Sequence, residues 1–473
     1  MTETNPQWKL GFESLESEIR VPTELKVEGK IPLDLKGSLF RNGPARFDVY
    51  GDRYLNWFDG DGMIYRFALK DGRVFYQHRF VETKKKKAED EAGRRIFGEF
   101  GTRVPGGFIS RFLNRGMHGN PANTNVVYQG DRLYALCEGG LAYRLDPSTL
   151  ETLGEDNFNG VLADEDHFSA HPHRVASSGQ AWNFGLEYGK ESFLHVYRWN
   201  QDNSLERCHR LTIPFVTMVH DFAVTETHAV FILPPLMLPK IPIGLMTGQK
   251  TFGDSLRWRP EQGTTVAVLN LATQQIRWHR TEARMVFHMI NAVSHGDDVI
   301  VDYCAYADDS PMRSTFDLMK GKLSFSQPAI PERLELKHSG ETKRYSLANI
   351  GIEFPRTSRS GMGEECDVLF GVAWSSGEYF ARIPTKINLK SGAVEQAAFA
   401  PDEFAHESVP VRKSGSSGDS DVWLLTPVLN GGKNRSELRV YDGNDLKAPP
   451  VGVVPLPYHI PFSFHGSWVP RTF

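Results

Sequence analysis

Short runs of β-branched and aromatic residues recur along this chain, and each one stops at a turn signal. "TNVVYQGDRLYALCEGGLAYRLD", "HAVFILP", "TTVAVLNLATQQIRWHR", "DVIVDYCAY", "DVLFGVAWSS" and "SELRVYDG" contain strand-length segments bounded by Gly, Asp or Pro. Long amphipathic helices are nearly absent, and "ETKKKKAEDEAGRRIFGEF" at 82–100 is the best helical candidate. Over 473 residues, so many regularly spaced strands predict an all-β fold, a β-propeller ahead of a sandwich. No WD or kelch signature repeats, so the blades are not countable as sequence motifs. "RKSGSSGDSD" at 412–421 is the one Ser/Gly-rich stretch and reads as a loop between two strands, so a single domain over 1–473 is expected. "WFDGDGMIYRFAL" reads as a hairpin, with Asp59, Gly60, Asp61 and Gly62 forming a tight turn between "RYLNW" and "MIYRF". A calcium loop does not fit there, because oxygen ligands do not continue at alternate positions.

Charge and cysteine usage narrow the function. A formal net charge of −4 lacks the basic excess that phosphate binding needs, so nucleic acid is not an expected partner. Cys137, Cys208, Cys304 and Cys366 are far apart and form no C-x-x-C pair, which reads as reduced thiols rather than disulfides or a zinc site. "MTETNPQWKLGFESLESEIR" has no basic region followed by an apolar one, and no run of about 20 apolar residues exists. The expected location is cytoplasmic.

Four of the 16 histidines share a setting: His171 in "FSAHPH", His220 in "TMVHDFAV", His288 in "VFHMINAV" and His465 in "FSFHGSWV". Each lies in or beside an apolar, strand-like run. One such histidine reads as a satisfied core residue. Four, with little other polar material around them, point to a shared partner that takes one nitrogen from each, namely a metal ion. Imidazole suits zinc, copper, iron and nickel. The four are far apart in sequence, so this is no H-E-x-x-H helix; a propeller solves the geometry because its inner strands converge on one axis. A C-terminal strand that closes the ring would place His465 there. The second nitrogen of each ring needs a carboxylate or carbonyl. Glu138 in "ALCEGGL" and Glu353 in "IGIEFPR" are candidates, although each alone would pass for a turn-proximal surface residue.

These stretches resemble the carotenoid cleavage oxygenases, the family that includes the retinal pigment epithelium isomerohydrolase and the bacterial lignostilbene dioxygenases. The resemblance rests on "GSLFRNGP" (37–44), "WFDGDGM" (57–63), "NTNV" (123–126), "EGG" (138–140), "SAHPH" (169–173), "VHDFAVTE" (219–226), "FHMINAV" (287–293), "EFPR" (353–356) and "FHGSWVP" (464–470), in family order along nearly the whole chain. It implies a seven-bladed β-propeller with Fe(II) on its axis, bound by His171, His220, His288 and His465, under a cap of loops and short helices. It also implies glutamates behind the ligands at Glu138 and Glu353, with Asp419 in "GDSDVW" the nearest match to the third. Thr124 matches a threonine whose methyl crowds the iron's open face.

The implied reaction inserts O₂ across one conjugated C=C bond of a carotenoid or apocarotenoid and yields aldehydes such as retinal. No flavin or nicotinamide motif supplies electrons, so the substrate must. Cleavage of a phenolic stilbene is the alternative. Stilbene-cleaving relatives often carry a lysine directly before the glutamate of "EGG", and Cys137 stands there instead. A non-enzymatic scaffold is disfavoured by retention of all four histidines. "VFILPPLMLPKIPIGLM" (230–246) reads either as a buried, proline-rich connection or as an apolar lip on a membrane, with Leu236, Met237 and Leu238 in the lip; "GGFISRFLNRGM" (106–117) is a second mouth element. "KKKK" at 84–87 is followed by "AEDE" and reads as a solvated helix face with internal ion pairs.

Overall fold

A computed structural model describes residues 6–189, 191–324, 327–374 and 380–473. These residues form seven antiparallel sheets in a ring, plus two small two-stranded ribbons. The sheet of strands Asn125–Gln129, Arg132–Leu136, Ala142–Leu145 and Thr152–Asp156 shows the common plan: the chain starts at the axis and steps outward one hairpin at a time. Inner and middle strands are flanked by neighbouring sheets and read as continuous buried runs, as in Val422–Asn430. The outer strand Leu205–Ile213 has sheet on one side only, and its burial alternates more.

The ring closes through its two ends. Gly466–Val469 pairs antiparallel with Gly37–Arg46, Ser38 opposite Val469 and Arg41 opposite Gly466, so the last strand of the chain is the innermost strand of the first blade. Gly466 is required by proximity: a Cβ there would lie 2.2 Å from the Phe40 carbonyl oxygen. The ligand-bearing positions follow. His171 precedes His173–Arg174, His220 precedes Ala223–Val224, His288 lies in Met285–His295, and His465 precedes Gly466–Val469. Each is on or just before the inner strand of a different blade.

Helices sit in insertions between strands: Lys84–Ala92 and Phe108–Leu113 between the first and second blades, Ile243–Met246 and Phe252–Ser255 in the fourth, and Ser310–Met319 in the fifth. Loop 412–421 does join two paired strands. Two sequence expectations are corrected. The Asp59–Gly62 stretch is no hairpin turn, since Asp61–Lys70 pairs with Gly37–Arg46 and Arg73–Phe80. Gly60 has φ −64°, and Gly62 is small because a Cβ would meet the Ala122 carbonyl at 2.5 Å. The lysine run is not wholly solvated either. Lys86 makes the expected i,i+4 pairs with Glu82 and Asp90, but Lys85 is buried and binds Asp61 and Tyr54, each at 2.5 Å.

Candidate metal centre

The four histidines converge. One ligand atom from each lies within 4.8 Å of all the others, and all four side chains are buried. His171 Nε2 is 3.0 Å from His220 Nε2, and His288 Nε2 is 3.1 Å from His465 Nε2.

What lies behind the rings sets their tautomers. His288 Nδ1 donates to Glu353 at 2.5 Å, His465 Nδ1 donates to Glu407 at 2.9 Å, and His220 Nδ1 pairs with Glu138. With Nδ1 carrying the proton, Nε2 of these three rings presents a lone pair. The lone pairs of His288 and His465 that face one another at 3.1 Å repel unless a cation sits between them. Two nitrogens at right angles on a metal about 2.1 Å away would also lie about 3.0 Å apart. The donor set therefore fits a borderline metal such as Fe(II).

Electrostatics agree with this division of labour. Burial and the three neighbouring imidazoles hold the His171 pKa well below its usual value. Burial brings His465 down to about 4, against the pull of Glu407. For His220 burial acts downward, but the charge and hydrogen bond of Glu138 outweigh it and the pKa is raised. Glu407 is held well below the carboxylate range despite complete burial, because Arg356, His465 and Arg41 surround it. Arg356 Nε donates to it at 2.9 Å, as does the Gly466 N–H, and Arg41 forms an ion pair with it.

Glu407 replaces the expected Asp419. Asp419 stands away from the histidines, accepting the Asp367 N–H at 2.8 Å and pairing with Arg359 and Arg412. Its loop lies at the far end of the strand pair that carries Glu407 at its start, so it has no path to the axis. The signal was present: "FAHESVPV" sets one carboxylate in an apolar run, as "ALCEGGL" and "IGIEFPR" do. Every blade thus supplies one group to the centre, either a histidine or a glutamate. Phe354 was also missed. It follows Glu353 in a left-handed conformation with φ 53°, a strained state for a bulky residue. Its N–H donates to Glu353 at 2.8 Å, and its ring lies 5.4 Å from both His288 and His465.

A cavity of about 540 Å³ adjoins the centre. Its wall is mostly apolar and aromatic, with Phe58, Phe100, Phe184, Phe287, Tyr306 and Phe464 among the lining residues, and it includes Thr124, Cys137, Glu138 and Glu353. Thr124 Oγ1 donates to Asn123 at 3.2 Å, and its carbonyl accepts the His465 N–H at 3.3 Å. Burial and the adjacent Glu138 push the Cys137 thiol up to about 12.

The family described as Retinal pigment epithelial membrane protein (RPE65) matches residues 12–470. The chain belongs to this family of carotenoid and apocarotenoid oxygenases. It is 32% identical to the apocarotenoid-15,15'-oxygenase of Synechocystis over 98% of this chain and 96% of that one. Isoeugenol monooxygenase of Pseudomonas nitroreducens is 28% identical over 95% of each chain. Among solved structures, cobalt-substituted Synechocystis ACO superposes with TM-score 0.91 at 30% identity, covering 99% of this chain and 100% of that chain. An ACO/RPE65 chimera superposes with TM-score 0.91 at 28% identity over the same shares. The protein is accordingly an oxygenase of the RPE65 family, built as a seven-bladed propeller with a four-histidine, non-haem metal site that suits Fe(II).

The apolar segment 230–246 divides. Leu236 is buried and pairs with Trp258, and Met237 and Leu238 are half-buried, so the three residues expected in a lip belong to the packed part. Exposure begins after them. Ile241 is 69% and Ile243 66% exposed, and Ile109 and Leu113 of the helix Phe108–Leu113 are 73% and 70% exposed. The residues that follow this segment reach the helix: Gln249 Nε2 donates to the Phe108 carbonyl at 3.3 Å, and Arg103 donates to the Gln249 carbonyl. Among the described residues no helix is long and apolar enough to cross a membrane.

Proposed function

We propose that this oxygenase cleaves one double bond of a conjugated polyene, an apocarotenoid, into two carbonyl products. The observation that carries this reading is the aromatic cavity of about 540 Å³ running onto the four-histidine centre. The reaction balances without a reductant: the C=C bond and the O–O bond break, and each carbon takes one oxygen atom of the same O₂. Fe(II) held by His171, His220, His288 and His465 supplies the O₂-activating chemistry. Glu138, Glu353 and Glu407 fix the rings and leave Nε2 free to bind. The cavity wall excludes water and holds one segment of the polyene against the centre. Phe287 and Phe464 precede ligands in sequence and offer π faces to positive charge developing along the chain. Thr124 narrows the approach beside His465.

The seven blades act as one domain over 1–473, with the helical insertions capping the cavity. Leu245 and Arg115 line the cavity and belong to the same two stretches as the exposed apolar patch. Phe108, Ile109, Leu113, Ile241, Ile243 and Met246, with Arg115, Lys240 and Lys250 exposed around them, fit a lipid surface bearing anionic headgroups. The site of action is the cytoplasmic side of that surface. The isoeugenol relatives favour a phenolic alkene or stilbene as the second reading. Against it, Cys137 stands at the position before Glu138 where a lysine would meet a phenolate, and the buried Lys85 is engaged by Asp61 and Tyr54.

The test offers anaerobically purified, Fe(II)-loaded protein an apocarotenal and a hydroxystilbene in air, and identifies the carbonyl products by mass. Aldehydes from the polyene are expected. Products from the stilbene alone would overturn the polyene reading.

A further inference from the structure

One buried carboxylate beside the metal centre bonds to none of the ligand rings. Asp221 follows the ligand His220 and accepts three hydrogen bonds. Its Oδ1 takes the Phe222 N–H at 2.7 Å, and the Nε2 of His173 lies 2.7 Å from the same oxygen. Its Oδ2 takes the Met289 N–H at 2.8 Å. A carboxylate only accepts, so His173 carries its proton on Nε2. Met289 follows the ligand His288, and His173 stands two residues after the ligand His171. One side chain thus links the ligand-bearing segments of three successive blades. The local backbone shows why the Met289 contact matters. Met285–His295 pairs with Asp298–Tyr306, and its register shifts twice, between Val286 and Met289 and between Met289 and Asn291. Such bulges bend a strand and re-aim its side chains. Asp221 holds the bulged segment that carries His288 by a backbone N–H inside it.

We propose that Asp221 is a further positioning residue of the metal centre, one that sets the spacing of His171, His220 and His288 and so pre-forms the site for its metal. Glu138, Glu353 and Glu407 each fix one ligand ring, and none of them takes His171. Asp221 fixes the strands instead, and through His173 it restrains the segment of the one ligand that lacks a glutamate. The fourth ligand strand is held in a parallel way: Glu407 takes the Gly466 N–H at 2.9 Å, next to His465, as Asp221 takes the Met289 N–H next to His288. The inference rests on the geometry of the metal centre alone and is independent of which substrate the cavity takes.

The experiment loads the anaerobic protein with Co(II) and measures its affinity by competition with a chelator. The visible absorption bands of the bound Co(II) report how the ligands are arranged. Asp221→Asn keeps the volume but sets an NH₂ against at least one of the three donors. It is expected to weaken Co(II) binding about ten- to a hundredfold and to shift the bands. His173→Leu removes one of the three bonds and should weaken binding less, about fivefold. His173→Gln, whose amide can donate to Asp221 again, should return affinity to within about twofold of wild type. Glu437→Gln is the comparison for general destabilisation: this buried carboxylate lies on Arg435–Asp442, a strand without a ligand, and pairs with Arg435 and Arg439. It should lower the melting temperature and leave Co(II) affinity and bands unchanged. Wild-type affinity and bands in Asp221→Asn overturn the proposal. So does a loss of affinity in Glu437→Gln as large as that in Asp221→Asn, which is the signature of a purely structural carboxylate. If Asp221→Asn does not fold, the His173 variants decide: a loss in His173→Leu that His173→Gln recovers supports the proposal, and wild-type affinity in His173→Leu overturns it.

Discussion

The two sides of the four-histidine level differ sharply, although the same strands build both. On each ligand-bearing inner strand, the residue before the histidine, or a close neighbour before it, faces the cavity: Ser169, Val219, Phe287 and Phe464. Residues just after it face a second pocket of about 430 Å³: Pro172, Asp221, Met289 and Ser467. Arg174, Arg356, Arg359, His173 and Glu407 line that second pocket too. One side is aromatic and keeps water from the chemistry. The other carries Glu407 and the arginines around it, while Glu138 and Glu353 reach the rings from the cavity side. Buried carboxylates behind histidines need counter-charges of their own, and Arg356 and Arg41 meet that need for Glu407 at the cost of a highly polar core. Arg41 and Arg356 stay off the cavity wall, so the counter-charges of Glu407 are not met by an apolar substrate.

The largest effect should come from the level where the two sides meet. His220→Ala removes one nitrogen and leaves Glu138 facing an empty space. Bound iron, measured by mass spectrometry, should fall to about a tenth or less, and turnover should vanish. Normal activity from an iron-free variant would dismiss the site.

Next comes the polar side, where Glu407 and Asp419 can be set against each other. Glu407→Gln leaves Arg41, fully buried, without its counter-ion, a change of the kind that costs about 3–5 kcal/mol, and frees the His465 ring. A large drop in melting temperature together with weaker iron binding is expected. Asp419→Asn disturbs the pairs with Arg359 and Arg412, whose side chains are about a third exposed, and the bond from the Asp367 N–H, all away from the histidines, and should leave iron content unchanged. Iron loss in Asp419→Asn with none in Glu407→Gln would reverse the assignment.

How far the sequence could be read differs between the same regions. The propeller was legible because turn residues punctuate every strand, and the ligands were legible because a histidine in an apolar run has few other uses. Glu353 and Glu138 showed through the same pattern. Glu407 did not, although its run is equally apolar, because the family resemblance points to the acidic stretch at 419, where Asp419 pairs with Arg359 and Arg412 instead. Asp59–Gly62 failed for a different reason. Glycine marks turns, yet Gly62 answers the close approach of the Ala122 backbone, a contact about 60 residues away in sequence that local pattern does not encode. The tie from Asp221 to Met289 is invisible in sequence, because 68 positions separate the two and only the fold brings their strands together.

The smallest effect lies at the outer edge of the apolar side, and it separates two kinds of hydrophobic residue that look alike in sequence. Leu236 and Ile109 both sit in apolar stretches. Leu236 is 1% exposed and Ile109 73%. Leu236→Ser should destabilise the fold by about 2–5 kcal/mol through a lost core side chain, while liposome association of the folded fraction stays the same. Ile109→Ser with Leu113→Ser should leave the melting temperature within about a degree, since neither side chain is packed. Liposome association should fall about thirty- to a hundred-and-fiftyfold, as two partly inserted side chains each lose about 1–1.5 kcal/mol of burial. Turnover of detergent-dispersed substrate should not change, because neither residue lines the cavity. If the double variant bound liposomes as wild type does, the patch would be a plain surface, and the apolar side of the molecule would end at the cavity mouth.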